Sequence, residues 1–245
     1  MPIETHHCKQ HFRLASHVRG CYCNGQVILL DLRRNKYIGV GGPHLHALAS
    51  QVEGWPQVPM SEGVPATSHF FSVSATHLVS EGLVTHSRPG HKPDRTIEPA
   101  TASLADTGSD ALARIGTRRY WSFFRSASGA GISMRFRSLQ FMANAVATRR
   151  EKHERNSVES SSLEAIARGV AAYETLRPFV FTARDKCLQD SLALIGFLAS
   201  AGLFPHWVIG VKTRPFGAHS WVQFGPTVLN DHHDHVRQFV PILVA

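Results

Sequence analysis

Apolar and polar positions follow two different periods along this chain. In the first third, VILLDL at 27–32 and YIGV at 37–40 are short runs rich in β-branched and aromatic residues around the polar RRNK, which predicts a hairpin. HLHALAS at 44–50 and SATHLVSEGLV at 74–84 space their apolar residues as helices do, and Gly82 supplies the second with a left-handed stop. A hairpin packed on short helices predicts a winged-helix-like module over residues 1–87. Residues 88–110 are rich in Pro, Gly, Ser and Thr with few large apolar groups, the composition of a linker.

The pattern turns helical beyond that point. ALARIGTRRYWSFFR, MRFRSLQFMANAVATRREKHE and SSLEAIARGVAAYETL read as helices, the last opening on Ser161 and Glu164 at capping-box spacing. In DKCLQDSLALIGFLASAG, Leu188, Leu192, Ile195 and Ala199 recur at helical intervals, with Asp185 placed to cap the start and Gly202 to end it. HWVIGV at 206–211 then reads as a buried strand, and AHSWVQF at 218–224 and TVLND at 227–231 as two more. A three-residue loop of Phe224, Gly225 and Pro226 sets Gln223 opposite Thr227 and His219 opposite Asp231; one residue more or less shifts that register. The expected class is α+β, with a second domain over 111–245.

Composition narrows the setting. A chain of 245 residues, 43% apolar, is long enough for one large or two small cores. No run approaches the roughly 18 to 20 apolar residues of a membrane span, and the opening MPIETHHCKQHFRL does not read as a secretory signal, so a cytoplasmic protein is expected. Cys8, Cys21, Cys23 and Cys187 are too unevenly spread for a disulfide framework and should be thiols. The net charge of +8 resides in one segment: residues 111–155 hold ten of the 26 Lys and Arg and two of the 18 acidic residues, leaving 16 of each elsewhere. That segment is either a solvated basic face or an attractor of an acidic peptide or partner. Nucleic acid is the weaker reading, because a recognition helix needs cations for phosphates and Asn, Gln or Arg for bases. SATHLVSEGLV offers a histidine, hydroxyls and Glu81. Capture of an extended peptide on the open edge of YIGV fits better.

The chemistry gathers near the C-terminus. Cys187 falls in the first turn of its helix, where the dipole, unpaired N–H groups and the neighbouring Arg184 and Lys186 favour a thiolate. His219 and Asp231 on paired strands can serve as a base and the carboxylate that orients it, with Trp221 on the same face as shield or as plain core. A lone cysteine in a helix is usually a small buried hydrophobe, and it is His219 and Asp231 that shift the reading toward a nucleophile. HHDH at 232–235, HHC at 6–8 with His11, and CYC at 21–23 lack the paired spacing of a structural zinc site and are read as solvated or weakly ligating; no metal is expected.

The run from DKCLQDSL through PFGAHSWVQF to VLND resembles the B protein of lasso-peptide biosynthesis, densely over about residues 160–242. The resemblance implies a transglutaminase-like (papain-like) cysteine protease domain with Cys187 as nucleophile, His219 as base and Asp231 as acid. More loosely, the N-terminal part resembles that family's precursor-recognition domain, a winged-helix-like module related to the peptide chaperone of pyrroloquinoline quinone biosynthesis. It implies that a leader peptide adds as a strand beside YIGV, with Tyr37, Ile38, Val40, Leu78 and Val79 as contacts. The implied function is a leader peptidase. It cuts a ribosomally made lasso precursor before a partner cyclase similar to asparagine synthetase closes the macrolactam. ATP dependence is associated with some members, yet no G-x-x-x-x-G-K-[ST] loop is present, so no bound cofactor is expected here. Two alternatives remain open: acyl transfer on the same three residues, as in transglutaminases or arylamine N-acetyltransferases, and a non-catalytic winged-helix adaptor binding peptide or DNA.

Overall fold

The computed structural model describes residues 12–42, 44–59, 75–86, 96–107, 116–156, 162–180 and 186–245. They fall into two compact units, one built from 12–32 and 36–86 and the other from 96 onward.

The first unit holds two small sheets. Strand β2 (Val18–Cys23) pairs antiparallel with β3 (Gln26–Asp31), and β3 with β4 (Lys36–Gly41), so β4 is an edge strand. The β2–β3 turn is Asn24-Gly25, both at positive φ (48° and 85°), the geometry a tight hairpin demands. Strand β1 (Phe12–Leu14) lies between β5 (Val52–Glu53), parallel, and β6 (Val84–Thr85), antiparallel. Helix α1 (His44–Ala49) and a helical turn at 75–80 (α2) complete it. Gly82, at φ 73°, ends α2 as the spacing predicts: Leu83 N–H reaches Leu78 O at 2.8 Å and Gly82 N–H reaches Val79 O at 2.9 Å, a Schellman closure. Leu14, Val18, Val27, Leu29, Leu48, Leu78 and Leu83 form the core. Strand β2 was not anticipated; Cys21 and Cys23 are buried on it, and burial together with Cys23 pushes the Cys21 thiol up to about 12. Cys8 and the histidines at 6, 7 and 11 lie outside the described residues.

The second unit is a five-stranded sheet in the order β11–β8–β9–β10–β7. It comprises β7 (Ala102–Ser103), β8 (His206–Thr213), β9 (Phe216–Phe224), β10 (Thr227–Val228) and β11 (Val240–Val244), all antiparallel except β10 with β7. Residues 96–107, expected within a linker, therefore belong to this unit, because β7 pairs with β10. The helices are α3 (Thr117–Phe136), α4 (Leu139–Asn156), α5 (Leu163–Leu176), α6 (Cys187–Ala199) and a short turn α7 (His233–Val236). Helix α5 is capped by Ser162, whose side chain accepts from Ala165 N–H, in place of the expected Ser161. Asp185, read as the cap of α6, lies outside the described residues, and Lys186 stands at the cap position without a side-chain bond.

Helix α6 is apolar nearly all round, so periodicity alone misjudges its inner face. The side chains it buries are Asp190, Ser191, Ala193, Leu194, Ile195, Phe197 and Leu198, whereas Leu188, Leu192 and Ala199 of the anticipated stripe are half-buried. Helix α3 approaches α6 through small residues: a side chain at Gly196 would meet Ser126 at 3.3 Å, and one at Gly131 would meet Gln189 at 3.0 Å. Phe123 is buried against Tyr173 and Phe197, whereas other large residues point outward, with Trp121 78%, Phe136 74% and Ile132 60% exposed among exposed arginines at 118, 119, 125 and 135. The described part of the basic segment thus exposes aromatic and cationic side chains together. No described helix is long and apolar enough to cross a membrane.

Candidate active site

Cys187 is the first residue of α6, where backbone N–H groups lack helical partners, and its side chain is half-buried, in contrast to the buried Cys21 and Cys23. The strand β9 runs beside α6 and carries His219. Behind it, Trp207 Nε1–H donates to Ser220 Oγ at 2.8 Å, Ser191 Oγ–H of α6 donates to Ser220 O at 3.0 Å, and Asn230 Nδ2–H donates to Ser191 Oγ at 3.1 Å. Asn230 Oδ1 also accepts from Val222 N–H at 2.8 Å. These bonds tie the start of α6, strand β9 and the segment after β10 into one frame.

The β9–β10 turn corrects the expected register. Phe224 pairs with Thr227 and Gln223 with Val228, so the turn is the two residues Gly225 and Pro226, with Gly225 at φ 53°. Strand β10 stops at Val228, not 231. Leu229 N–H still reaches Val222 O at 2.9 Å, and just beyond it His219 Nε2–H donates to Asp231 Oδ2 at 2.6 Å. The remaining ring nitrogen, Nδ1, is the one available to the Cys187 thiol, with which His219 shares a hydrogen bond.

Each charge is tuned. Burial opposes the Cys187 thiolate, but the His219 bond, the Ser220 and Leu188 backbone N–H groups and the imidazolium charge outweigh it and lower the thiol below its ordinary value. Burial likewise opposes the His219 cation, yet Asp231 and then Cys187 raise it to about 9. Asp231, in spite of burial, is held down to about 2 by His219, His235 and His232 N–H. Both shifts favour the thiolate–imidazolium form of the pair. Trp221 lies on the same face as anticipated, its ring parallel to His219 within 16° at 6.1 Å, and Phe239 closes the far side at 5.2 Å.

The three side chains open on a cleft of about 760 Å³ whose walls include Val170, Glu174, Arg177, Asp190, Leu229 and His235. Asp190, one turn after Cys187 and 4% exposed, accepts from Tyr173 Oη–H at 2.8 Å and Arg177 Nε–H at 3.0 Å. Sequence spacing did not reveal this contact, which joins α5 to α6. Nor did it reveal His235, whose Nδ1–H donates to Asp231 Oδ2 at 2.8 Å. The HHDH run is only partly solvated: His233 N–H donates to Ser103 Oγ at 2.7 Å. Candidate ligand atoms of His219, Asp231 and His235 lie within 4.8 Å of one another, the group among the described residues that could hold a metal ion, and the two hydrogen bonds to Asp231 account for its convergence.

The proposed peptide contacts divide. Tyr37, Ile38 and Val40 lie half-buried on edge strand β4, where a peptide strand could add, and Val79 packs beside Ile38 and Val40 on the same core. Leu78 is 3% exposed and occupied by core packing, so it does not offer a contact surface.

Known proteins supply a partial match. A 48-residue stretch is 48% identical to the Microcin J25-processing protein McjB of Escherichia coli, covering 20% of this chain and 23% of that protein. No solved structure matches the chain. Residues 128–244, just under half of this mixed α/β chain, are similar to the family model described as Transglutaminase-like superfamily.

Proposed function

We propose that the chain is a cysteine peptidase that removes the leader from a lasso-peptide precursor, with Cys187 as nucleophile, His219 as acid and base, and Asp231 as the group orienting His219. The observation that carries this reading is that Cys187, His219 and Asp231 line one cleft, with His219 bonded to Asp231 at 2.6 Å. The partial likeness to a microcin-processing protein and the transglutaminase-like domain support it. In the first step the Cys187 sulfur attacks the scissile carbonyl, and the developing oxyanion faces the N–H groups at the start of α6. His219 gives its proton to the departing amine, leaving a thioester. Water then adds with His219 taking its proton, the thiolate leaves, and the leader acid is released.

The N-terminal unit would hold the leader along β4, where backbone bonds supply affinity independent of sequence and the Ile38 and Val40 surroundings supply selection. A cytoplasmic setting and a macrolactam-forming cyclase as partner complete the proposal; no nucleotide or nucleic acid enters it. The test is mass spectrometry of a candidate precursor incubated with wild-type and Cys187→Ala protein. Cleavage by the wild type alone is expected; equal cleavage by both, or none by either with the cognate precursor, refutes the peptidase.

A further inference from the structure

Asp231 Oδ2 receives two imidazoles, not one: His219 Nε2 at 2.6 Å and His235 Nδ1 at 2.8 Å. An ionised carboxylate can only accept, so both nitrogens carry hydrogen, and each bond lessens the electron density available to the other. His235 is well placed for this. It lies four residues after Asp231 on the turn α7, the spacing that brings side chains together on one helical face, and its ring meets Phe239 edge-on at 5.5 Å and 89°. Its centroid stands 4.7 Å from that of His219.

The geometry points to His235 as a positioning residue that shares the Asp231 carboxylate with His219 and so limits how tightly His219 holds its proton. A base for this chemistry must also surrender its proton to the leaving amine, and efficiency falls as its pKa rises far above the working pH. Asp231 and the Cys187 thiolate together lift His219 to about 9, and His235 offsets part of that pull while fixing the carboxylate rotamer. His232 N–H, at 2.7 Å from Oδ1, holds the other oxygen. The remaining ionisable groups around the pair are Cys187 of α6, Lys212 of β8 against the Phe239 ring at 4.9 Å, and Asp234, His233 and Arg237 on or beside α7. Glu174, Arg177 and Asp190 line the same cleft. None of these is hydrogen-bonded to Asp231 Oδ2 among the described residues.

The consequence for turnover rests on the peptidase reading, whereas the effect on the ion pair does not. The experiment therefore follows alkylation of Cys187 by iodoacetate against pH, read by peptide mass in the full chain, for wild type, His235→Ala and His235→Asn. Alkylation by this anionic reagent falls at alkaline pH as the imidazolium that attracts it loses its proton. In His235→Ala this fall is expected to move upward by about half a pH unit, roughly a threefold change in proton affinity. His235→Asn, whose amide restores a donor near the Nδ1 position, should match the wild type. If the precursor is cleaved, the alanine variant lowers kcat several-fold with KM within twofold, and Asn recovers it. Should His235→Ala fail to fold, His235→Phe, which keeps a ring against Phe239 without a donor, takes its place in the comparison. An alkaline fall that stays put or moves downward in the folded non-donor variant overturns the inference, as does an Asn variant that behaves like alanine. A wild type that shows the predicted alkylation pattern yet never cleaves a cognate precursor leaves His235's role standing and removes the peptidase.

Discussion

Asp231→Asn is the most direct perturbation of the site, because it removes one charge at nearly constant shape. The His219 cation stands at about 9 against an ordinary 6.5, and the Asp231 hydrogen bond is the largest of the contributions that raise it, ahead of Cys187. That elevation corresponds to roughly 3.4 kcal/mol at 1.36 kcal/mol per tenfold step. Assigning Asp231 between half and most of it leaves about 2–3 kcal/mol, or roughly 30- to 150-fold in imidazolium stability. The asparagine oxygen can still accept from Nε2–H, so orientation survives while the stabilising charge does not. At neutral pH the thiolate–imidazolium pair should revert largely to thiol and imidazole. Iodoacetate alkylation of Cys187 at pH 7 is then expected to slow by about that factor. Its alkaline fall should move from near 9 toward the ordinary histidine value of 6.5. Precursor cleavage should decline in parallel. An alkaline fall that remains near 9 in the asparagine variant would show that Asp231 does not govern His219, and the electrostatic account of the site would fail with it.

Further expectations concern the frame around the site. A side chain at Gly210 would meet the Trp221 ring at 2.8 Å and Phe239 Cβ at 2.9 Å, so Gly210→Ala should cost about 1–3 kcal/mol in denaturant melts and also slow Cys187 alkylation, since both rings flank His219. Tyr173→Phe removes a donor from buried Asp190 and should cost about 1–3 kcal/mol with the alkylation profile nearly intact; Arg177→Ala should weaken the same carboxylate. Stability should also follow the two linked groups. Asp231, depressed from 3.8 to about 2, contributes above its ordinary value and loses that contribution as pH falls through about 2. His219, raised from 6.5 to about 9, contributes fully below 6.5 and loses it as pH rises through about 9, so the wild type should lose stability relative to His219→Gln across that alkaline window. Equal pH dependence of the two proteins in thermal melts would contradict the elevated histidine.

Local signals made much of this chain legible before its coordinates. The β3–β4 hairpin, the Gly82 and Gly202 helix stops and the placing of Cys187 at a helix start all follow from residues within a few positions of one another. Backbone sterics and terminal N–H groups act at that range, so composition suffices. What folding alone decided involves partners far apart in sequence or one residue of register. Thr101 and Ala102 N–H groups find Pro226 O only once β7 lies beside β10, which is why a Pro- and Thr-rich stretch read as a linker. The two-residue turn at Gly225 shifted the ladder by one, yet Asp231 still reached His219, because side-chain electrostatics acted after the strand had ended and backbone pairing no longer dictated position. The same release from the ladder let α7 form and delivered His235 to the carboxylate, a convergence that no spacing rule for strands could have shown.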